Sequence, residues 1–150
     1  MLIRKQTIRI HYIKAMKTLW SLLIMASAYV AEAQSLVVLG TLQDGGSPHM
    51  NCTKSCCAIE RPNDYVVSLG VIDQSKHYLF DASPDIVSQT NYLQSISHAK
   101  ELEIFLTHAH MGHYAGLIHL GRESANTKKT KVYAMPRMAQ FLQNNGPWSQ

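Results

Sequence analysis

From position 34 onward, apolar residues fall in short runs separated by turn-forming residues. Ser35–Gly40 (SLVVLG) is short, β-branched and ended by glycine, which predicts a first strand. Thr41–Pro48 (TLQDGGSP) reads as a turn-forming loop, tightest at Asp44-Gly45-Gly46. His49–Arg61 shows little periodicity. Val66–Ile72 (VVSLGVI) predicts a strand, Asp73–Lys76 a turn and His77–Asp81 the returning strand. A helix start follows at Ser83-Pro84-Asp85. Ser83 can accept a free backbone N–H, Pro84 suits the first helical position, and Asp85 complements the positive helix end. Ile86, Thr90 and Leu93 then share a face. Ile104–Thr107 (IFLT) is brief and apolar, as a buried strand should be. His113–Glu123 predicts a helix with Leu117, Leu120 and Tyr114 inward. Lys131–Ala134 predicts a strand, and Pro136–Asn145 a helix with Met138, Phe141 and Leu142 apolar, stopped by Gly146-Pro147.

The expected order is β, β, β, α, β, α, β, α, an α/β domain with a mixed sheet. The region before it reads differently. Lys14 and Lys17 precede an apolar run, Leu19 to Val30, and Ala31-Glu32-Ala33 follows it. Positive, apolar, then small-x-small is the order of a signal peptide, here with cleavage expected after Ala33. About 12 apolar residues are too few to cross a ~30 Å hydrocarbon layer as a stable helix. The expected organisation is a leader over residues 1–33 and one domain over residues 34–150, with the mature protein periplasmic or secreted and without a membrane span. The formal net charge of +4 belongs to that leader. From Gln34 onward nine Lys/Arg balance nine Asp/Glu, so charge gives no case for a nucleic-acid partner.

Candidate chemistry concentrates at residues 107–113, which read Thr-His-Ala-His-Met-Gly-His. His108 and His110 are expected at the carboxyl end of a strand, where alternate residues point to one side. A turn at Met111-Gly112 then brings His113 back toward them at the start of a helix. Three imidazoles so placed can hold zinc and leave a coordination position open. Loops at strand ends of α/β sheets are also where ligands bind. His119, six residues further on, is expected to be an exposed or packed side chain.

HAHMGH resembles the His-x-His-x-Asp-His signature of the metallo-β-lactamase superfamily. Val38–Gly46 (VLGTLQDGG), the cysteine cluster, Tyr78–Pro84 (YLFDASP), Leu106–Leu117 (LTHAHMGHYAGL) and Val132–Gln150 (VYAMPRMAQFLQNNGPWSQ) look like the branch that contains pyrroloquinoline-quinone biosynthesis protein B. The resemblance implies an αββα sandwich, of which this chain carries the N-terminal half. It implies that His108 and His110 ligate a first metal and His113 a second, with Asp81 supporting the site from behind. The sequence departs from the signature at Gly112, which stands where the family has aspartate. Glycine offers no ligand atom, so one zinc is expected rather than two, and the absent side chain should widen the pocket floor. The family's later histidine and aspartate ligands have no counterpart after His119, so the chain alone is expected to be incomplete as a catalyst.

The cysteines leave two readings open. Cys52, Cys56 and Cys57, with His49 just upstream, could form a structural zinc site, and the resemblance implies a cysteine-bound zinc nearby. In an oxidising compartment Cys52 would instead pair with Cys56 or Cys57.

The expected function is an exported hydrolase in which zinc-activated water attacks an ester, amide or phosphoester of a small molecule. No residue stands out as general base. One alternative is a quinone-cofactor-biosynthesis-type oxygenase or hydroxylase using iron. Another is a non-catalytic metal-binding or carrier module.

Overall fold

The computed structural model describes residues 16–20, 34–59 and 64–149. Two units separate at the junction of Ala33 and Gln34. In the first, residues 16–20 are helical, and the rest of the expected leader lies outside the described residues. No described helix is long and apolar enough to cross a membrane.

The second unit is built on a five-stranded mixed sheet: β1 (Ser35–Gly40), β2 (Ser68–Asp73), β3 (Lys76–Phe80), β4 (Glu101–Phe105) and β5 (Lys131–Tyr133), side by side in chain order. β1 pairs antiparallel with β2, and β2 with β3. β4 and β5 then add in parallel, each after a helical crossover. The crossovers are α1 (Ile86–Ile96), and α2 (Met111–Tyr114) continued by a 3-10 turn at Ala115–Leu120. α3 (Pro136–Asn144) follows β5. β1, β3, β4 and β5 therefore run in one direction, and the chain leaves them all at the same edge of the sheet.

Strand alternation sorts the side chains onto two faces. Leu39, Leu79 and Ile104 point toward the helices and form one core with Ile86, Leu93, Leu106, Leu117 and Met138. Leu93 sits over Gly70, where even a Cβ would come within 2.7 Å of its Cδ2. The opposite face carries Leu36, Val38, Leu69, Tyr78, Phe80, Phe105 and Tyr133. Its aromatic rings stack on one another, Phe105 on Tyr133 at 4.4 Å and on Phe80 at 5.3 Å. Leu36 and Val38 are 68% and 61% exposed, so this face is open. It is apolar toward the strand ends that carry Phe80, Phe105 and Tyr133 and charged at the other end, where Lys76, Glu101, Glu103 and Lys131 meet. Exposed apolar surface on the second face of a sheet is what an inner layer of a sandwich presents. The described residues form one such sheet with its helices, as expected for one half of an αββα sandwich.

Several elements differ in detail from expectation. β4 spans Glu101–Phe105 rather than Ile104–Thr107. Its open side places Glu103 under Lys76 Nζ (2.9 Å), Lys131 Nζ (3.1 Å) and Tyr133 Oη (3.0 Å), so a charged residue is held within the strand. The expected helix from His113 to Glu123 instead begins at Met111 and becomes 3-10 at Ala115. Its ladder is interrupted because the His113 carbonyl accepts the Ala82 N–H (2.8 Å) and the Gly116 N–H donates to the Ala82 carbonyl (3.0 Å). In α1 the buried positions are Ile86, Gln89 and Leu93, with Gln89 in the place expected for Thr90. Gln89 is tolerated because its Oε1 accepts from Ser83 Oγ (2.8 Å) and its Nε2 donates to the Val66 carbonyl (2.8 Å). Asp85 precedes α1 and its carboxylate accepts the Val66 N–H (2.8 Å) rather than a helix N–H.

The Glu103 cluster gives an acid-stability prediction. Hydrogen bonds from Lys76 and Lys131 outweigh burial and hold the carboxyl at about 2, against an ordinary 4.5. A depressed folded pKa stabilises above the unfolded value, and that stabilisation is lost as pH falls toward 2. Glu103→Gln should therefore melt below the parent at pH 6, with the gap closing between pH 4.5 and 2. Thermal melts across that range test it, and a constant gap would exclude this role.

Candidate metal centre

Three loops leave the sheet at its shared edge. The loop after β1 carries Asp44, the segment after β3 carries Asp81, and the segment after β4 carries Thr107, His108 and His110, leading to His113 in α2. His108 and His110 do not lie on the strand, as alternation required. β4 ends at Phe105 and the two histidines stand in the loop. The Leu106 N–H still donates to the Tyr133 carbonyl (2.9 Å), as in the parallel ladder, and the chain leaves the sheet at Thr107, whose N–H donates to Asp81 Oδ1 (2.8 Å) instead of to a strand.

The three imidazoles nevertheless cluster. Ring centroids are 3.9 Å apart for His108 and His113, and 4.5 Å for His108 and His110. His113 is buried, while the His110 side chain is 72% exposed. His113 Nδ1 lies 2.7 Å from Asp81 Oδ2, and its Nε2 lies 2.9 Å from Asp44 Oδ1. Asp44 Oδ2 is 3.0 Å from His110 Nδ1. Thr107 Oγ1 is 2.9 Å from His108 Nδ1 and also bonds the Asp81 carboxylate (2.8 Å to Oδ2). One ligand atom each from Asp44, His108 and His113 falls within 4.8 Å of the others.

This donor set suits zinc, which takes imidazole nitrogen and carboxylate oxygen. Asp81 and Thr107 hold His113 and His108 by the nitrogen that a metal would not use, the arrangement that orients imidazole ligands elsewhere. Asp81 does so from a left-handed backbone (φ +70°), a conformation unusual for a non-glycine residue. Electrostatics follow the geometry. Burial disfavours charge on His113, but the hydrogen bonds to Asp81 and Asp44 and their charges together raise its pKa above the usual histidine value. The same hydrogen bond from His113 lowers the Asp44 pKa.

Sequence reasoning passed over Asp44, reading its turn as a plain loop, and over Thr107, reading it as strand. The signal for Asp44 lay in topology: strands of one direction deliver their following loops to one edge. The expected wider pocket floor is also corrected. A Cβ on Gly112 would fall 2.6 Å from Asp44 Cα, so the Asp44 loop fills that space.

The cysteines take one of the two pairings considered. Cys52 and Cys57 form a disulfide, with Cα atoms 6.0 Å apart, and Cys56 is free and exposed. The three-thiolate zinc set with His49 is therefore not formed, because two of its sulfurs are bonded to each other. His49 meets the Gln43 side chain instead. His119 is half-buried on the 3-10 turn, away from the cluster.

A groove of about 540 Å³ adjoins His108. Tyr114, Met135, Met138 and Phe141 give it apolar walls, and Arg137 adds a cation.

Residues 76–150, half of the chain, match the model of the beta-lactamase superfamily domain. The chain belongs to the beta-lactamase superfamily. The superfamily match takes in Asp81, the three histidines and Arg137, while Asp44 lies before it. Two solved structures share the fold. One is a diphosphatase from the PhnP family, 25% identical, with a TM-score of 0.56 over 73% of this chain and 44% of that one. The other is zinc-bound PqqB from Methylobacterium extorquens, 25% identical, with a TM-score of 0.61 over 78% of this chain and 45% of that one. This superfamily member thus spans less than half the length of either. No curated protein matches the chain.

Proposed function

We propose that this chain is the metal-binding half of an exported metal-dependent hydrolase, with zinc held by His108, His110 and His113 and a small-molecule ester, amide or phosphoester as substrate. The observation that carries the reading is the convergence of His108 and His113 with a carboxylate within 4.8 Å, each ring secured behind by Thr107 or Asp81. The superfamily includes hydrolases, and the related diphosphatase supports phosphoester cleavage in particular. The leader-like pattern of residues 1–33 supports export.

Zinc, when bound, supplies a water whose pKa falls to about 7. The chain's own residues do the rest. Asp81 fixes the orientation of His113, and Thr107 that of His108. The groove beside His108 receives the apolar part of a substrate, and Arg137, with no ion-pair partner among the described residues, offers a counter-charge to an anionic group.

The test uses the full-length protein purified without added metal. Elemental analysis should find zinc, and His108→Ala should lose both the zinc and the hydrolysis of a panel of esters, lactams and phosphodiesters. Zinc-loaded protein inert across the whole panel would overturn the hydrolase reading. Iron together with oxygen consumption would replace it with the oxygenase alternative.

A further inference from the structure

We infer that Asp44 supplies the metal centre with the carboxylate that position 112 lacks, and that Gly112 is glycine because the Asp44 loop occupies its side-chain space. The inference rests on the metal-centre reading above and adds a ligand from outside the histidine motif.

Two independent observations meet here. The first is the position of the carboxylate. Asp44 Oδ1 lies 2.9 Å from His113 Nε2 and Oδ2 lies 3.0 Å from His110 Nδ1, so the group sits between two imidazoles of the cluster. The second is the packing at Gly112, which is buried. A Cβ there would lie 2.6 Å from Asp44 Cα, 2.7 Å from its carbonyl oxygen and 2.8 Å from its Cβ. Real Cβ atoms do not approach backbone that closely, so the observed loop position and any side chain at 112 exclude each other.

The loop is braced at its base and within its turn, so moving it breaks hydrogen bonds. Thr41 and Leu42 N–H both donate to the Tyr65 carbonyl (3.0 Å each), and the Leu42 carbonyl accepts the Val67 N–H (2.8 Å). Inside the turn, the Gly46 N–H donates to the Gln43 carbonyl (2.9 Å) and the Gly45 N–H to Gln43 Oε1 (3.2 Å). Gly46 adopts φ +74°, which closes the turn at no steric cost to glycine. Asp44 is thus carried on a braced turn at the same sheet edge as the histidines.

The chemistry gives the relocation a purpose. Three imidazoles are neutral ligands, and a carboxylate adds an anionic oxygen that neutralises part of the cation's charge. A carboxylate at 112 would project from the histidine segment itself. At 44 it approaches from the neighbouring loop and leaves the backbone at 112 free to pack.

Cobalt substitution of the full-length protein tests this without reference to turnover. Visible absorption reports the ligand set, and chelator competition reports affinity. Asp44→Asn keeps shape but removes the anionic ligand. It should weaken cobalt binding about tenfold or more and alter the absorption bands, with a melting temperature close to the parent's when both are metal-free. Gly112→Ala should produce a similar loss by displacing the loop. The double variant should bind no worse than the weaker single one, because both changes remove the same carboxylate. Asp73→Asn, remote from the site, should bind as the parent does. Parent-like affinity and spectrum in Asp44→Asn would overturn the inference while leaving the histidine site standing. Additive losses in the double variant would sever Gly112 from Asp44. A parent that binds no cobalt or zinc would overturn the metal-centre reading and, with it, this one.

Discussion

Asp81→Gly should lower the stability of the metal-free protein by roughly 3–5 kcal/mol, the cost typical of removing one partner from a buried charged pair. Asp81 is 7% exposed and serves four bonds. Its carboxylate accepts the Thr107 N–H (2.8 Å), contacts Thr107 Oγ1 through both oxygens (3.0 and 2.8 Å) and holds His113 Nδ1 (2.7 Å). Without it, the Thr107 N–H and the His113 imidazole lose their shared partner, and at the buried imidazole water cannot replace it. Glycine is the informative substitution because it relieves the left-handed backbone (φ +70°) at the same time. Asp81→Asn keeps the shape and tolerates that backbone, and should fall between the two. If relief of strain dominated, Asp81→Gly would equal or exceed the parent in urea denaturation, and the supporting role of Asp81 would be wrong. The pH dependence has a definite sign. His113 has its pKa raised in the fold, so its stabilising contribution is fully present below the ordinary 6.5 and is lost as pH rises through the elevated value. The penalty for losing Asp81 should accordingly be larger at pH 5.5 than at pH 9.

Asp81 also shows how much of the site was legible in sequence. Its place at the end of a strand, and its support of the histidines, came from the resemblance of YLFDASP to a family pattern. The atoms it would bond did not. Thr107 looked like one more residue of an apolar strand, because periodicity cannot show where a side-chain carboxylate will capture a backbone N–H and turn the chain out of the sheet. Order and type of elements were readable throughout, since each strand or helix carries its own apolar spacing. Their ends were less so. β4 starts at Glu101, three residues before its apolar run, because Lys76, Lys131 and Tyr133 from adjacent strands compensate Glu103. That compensation is visible only once the strand order is known.

Asp44 marks the physical limit of local reading. Asp-Gly-Gly is sufficient reason for a turn, and nothing within eight residues of it hints at a histidine 69 positions away. The link is made by the sheet. β1 and β4 run in the same direction, so a loop after one and a loop after the other emerge at the same edge.

Gly116→Ala should be severely disruptive for a single added methyl group, costing roughly 3 kcal/mol or more and lowering the melting temperature by about 10 °C or more. The added Cβ would overlap the Ser83 carbonyl oxygen and lie 2.9 Å from both the Ala82 carbonyl oxygen and Ile86 Cγ2. Neither side can retreat cheaply. The Ala82 N–H donates to the His113 carbonyl (2.8 Å), the Gly116 N–H donates to the Ala82 carbonyl (3.0 Å), and the Asp81 N–H donates to the Phe105 carbonyl (2.8 Å). These bonds clamp the segment after β3 against α2, and the same clamp sets the approach of His113 to Asp81. Pushing the two apart should therefore weaken metal binding as well as the fold, although residue 116 touches no ligand atom. Gly121→Ala is the control: a Cβ there meets nothing nearer than the Ile118 carbonyl oxygen at 3.2 Å, and its cost should stay below about 1 kcal/mol. Thermal melts of both variants, with chelator competition on each, separate the outcomes. A Gly116→Ala protein that melts with the Gly121→Ala control would show that the close approach of α2 to the Ala82–Ser83 backbone does not hold the site together.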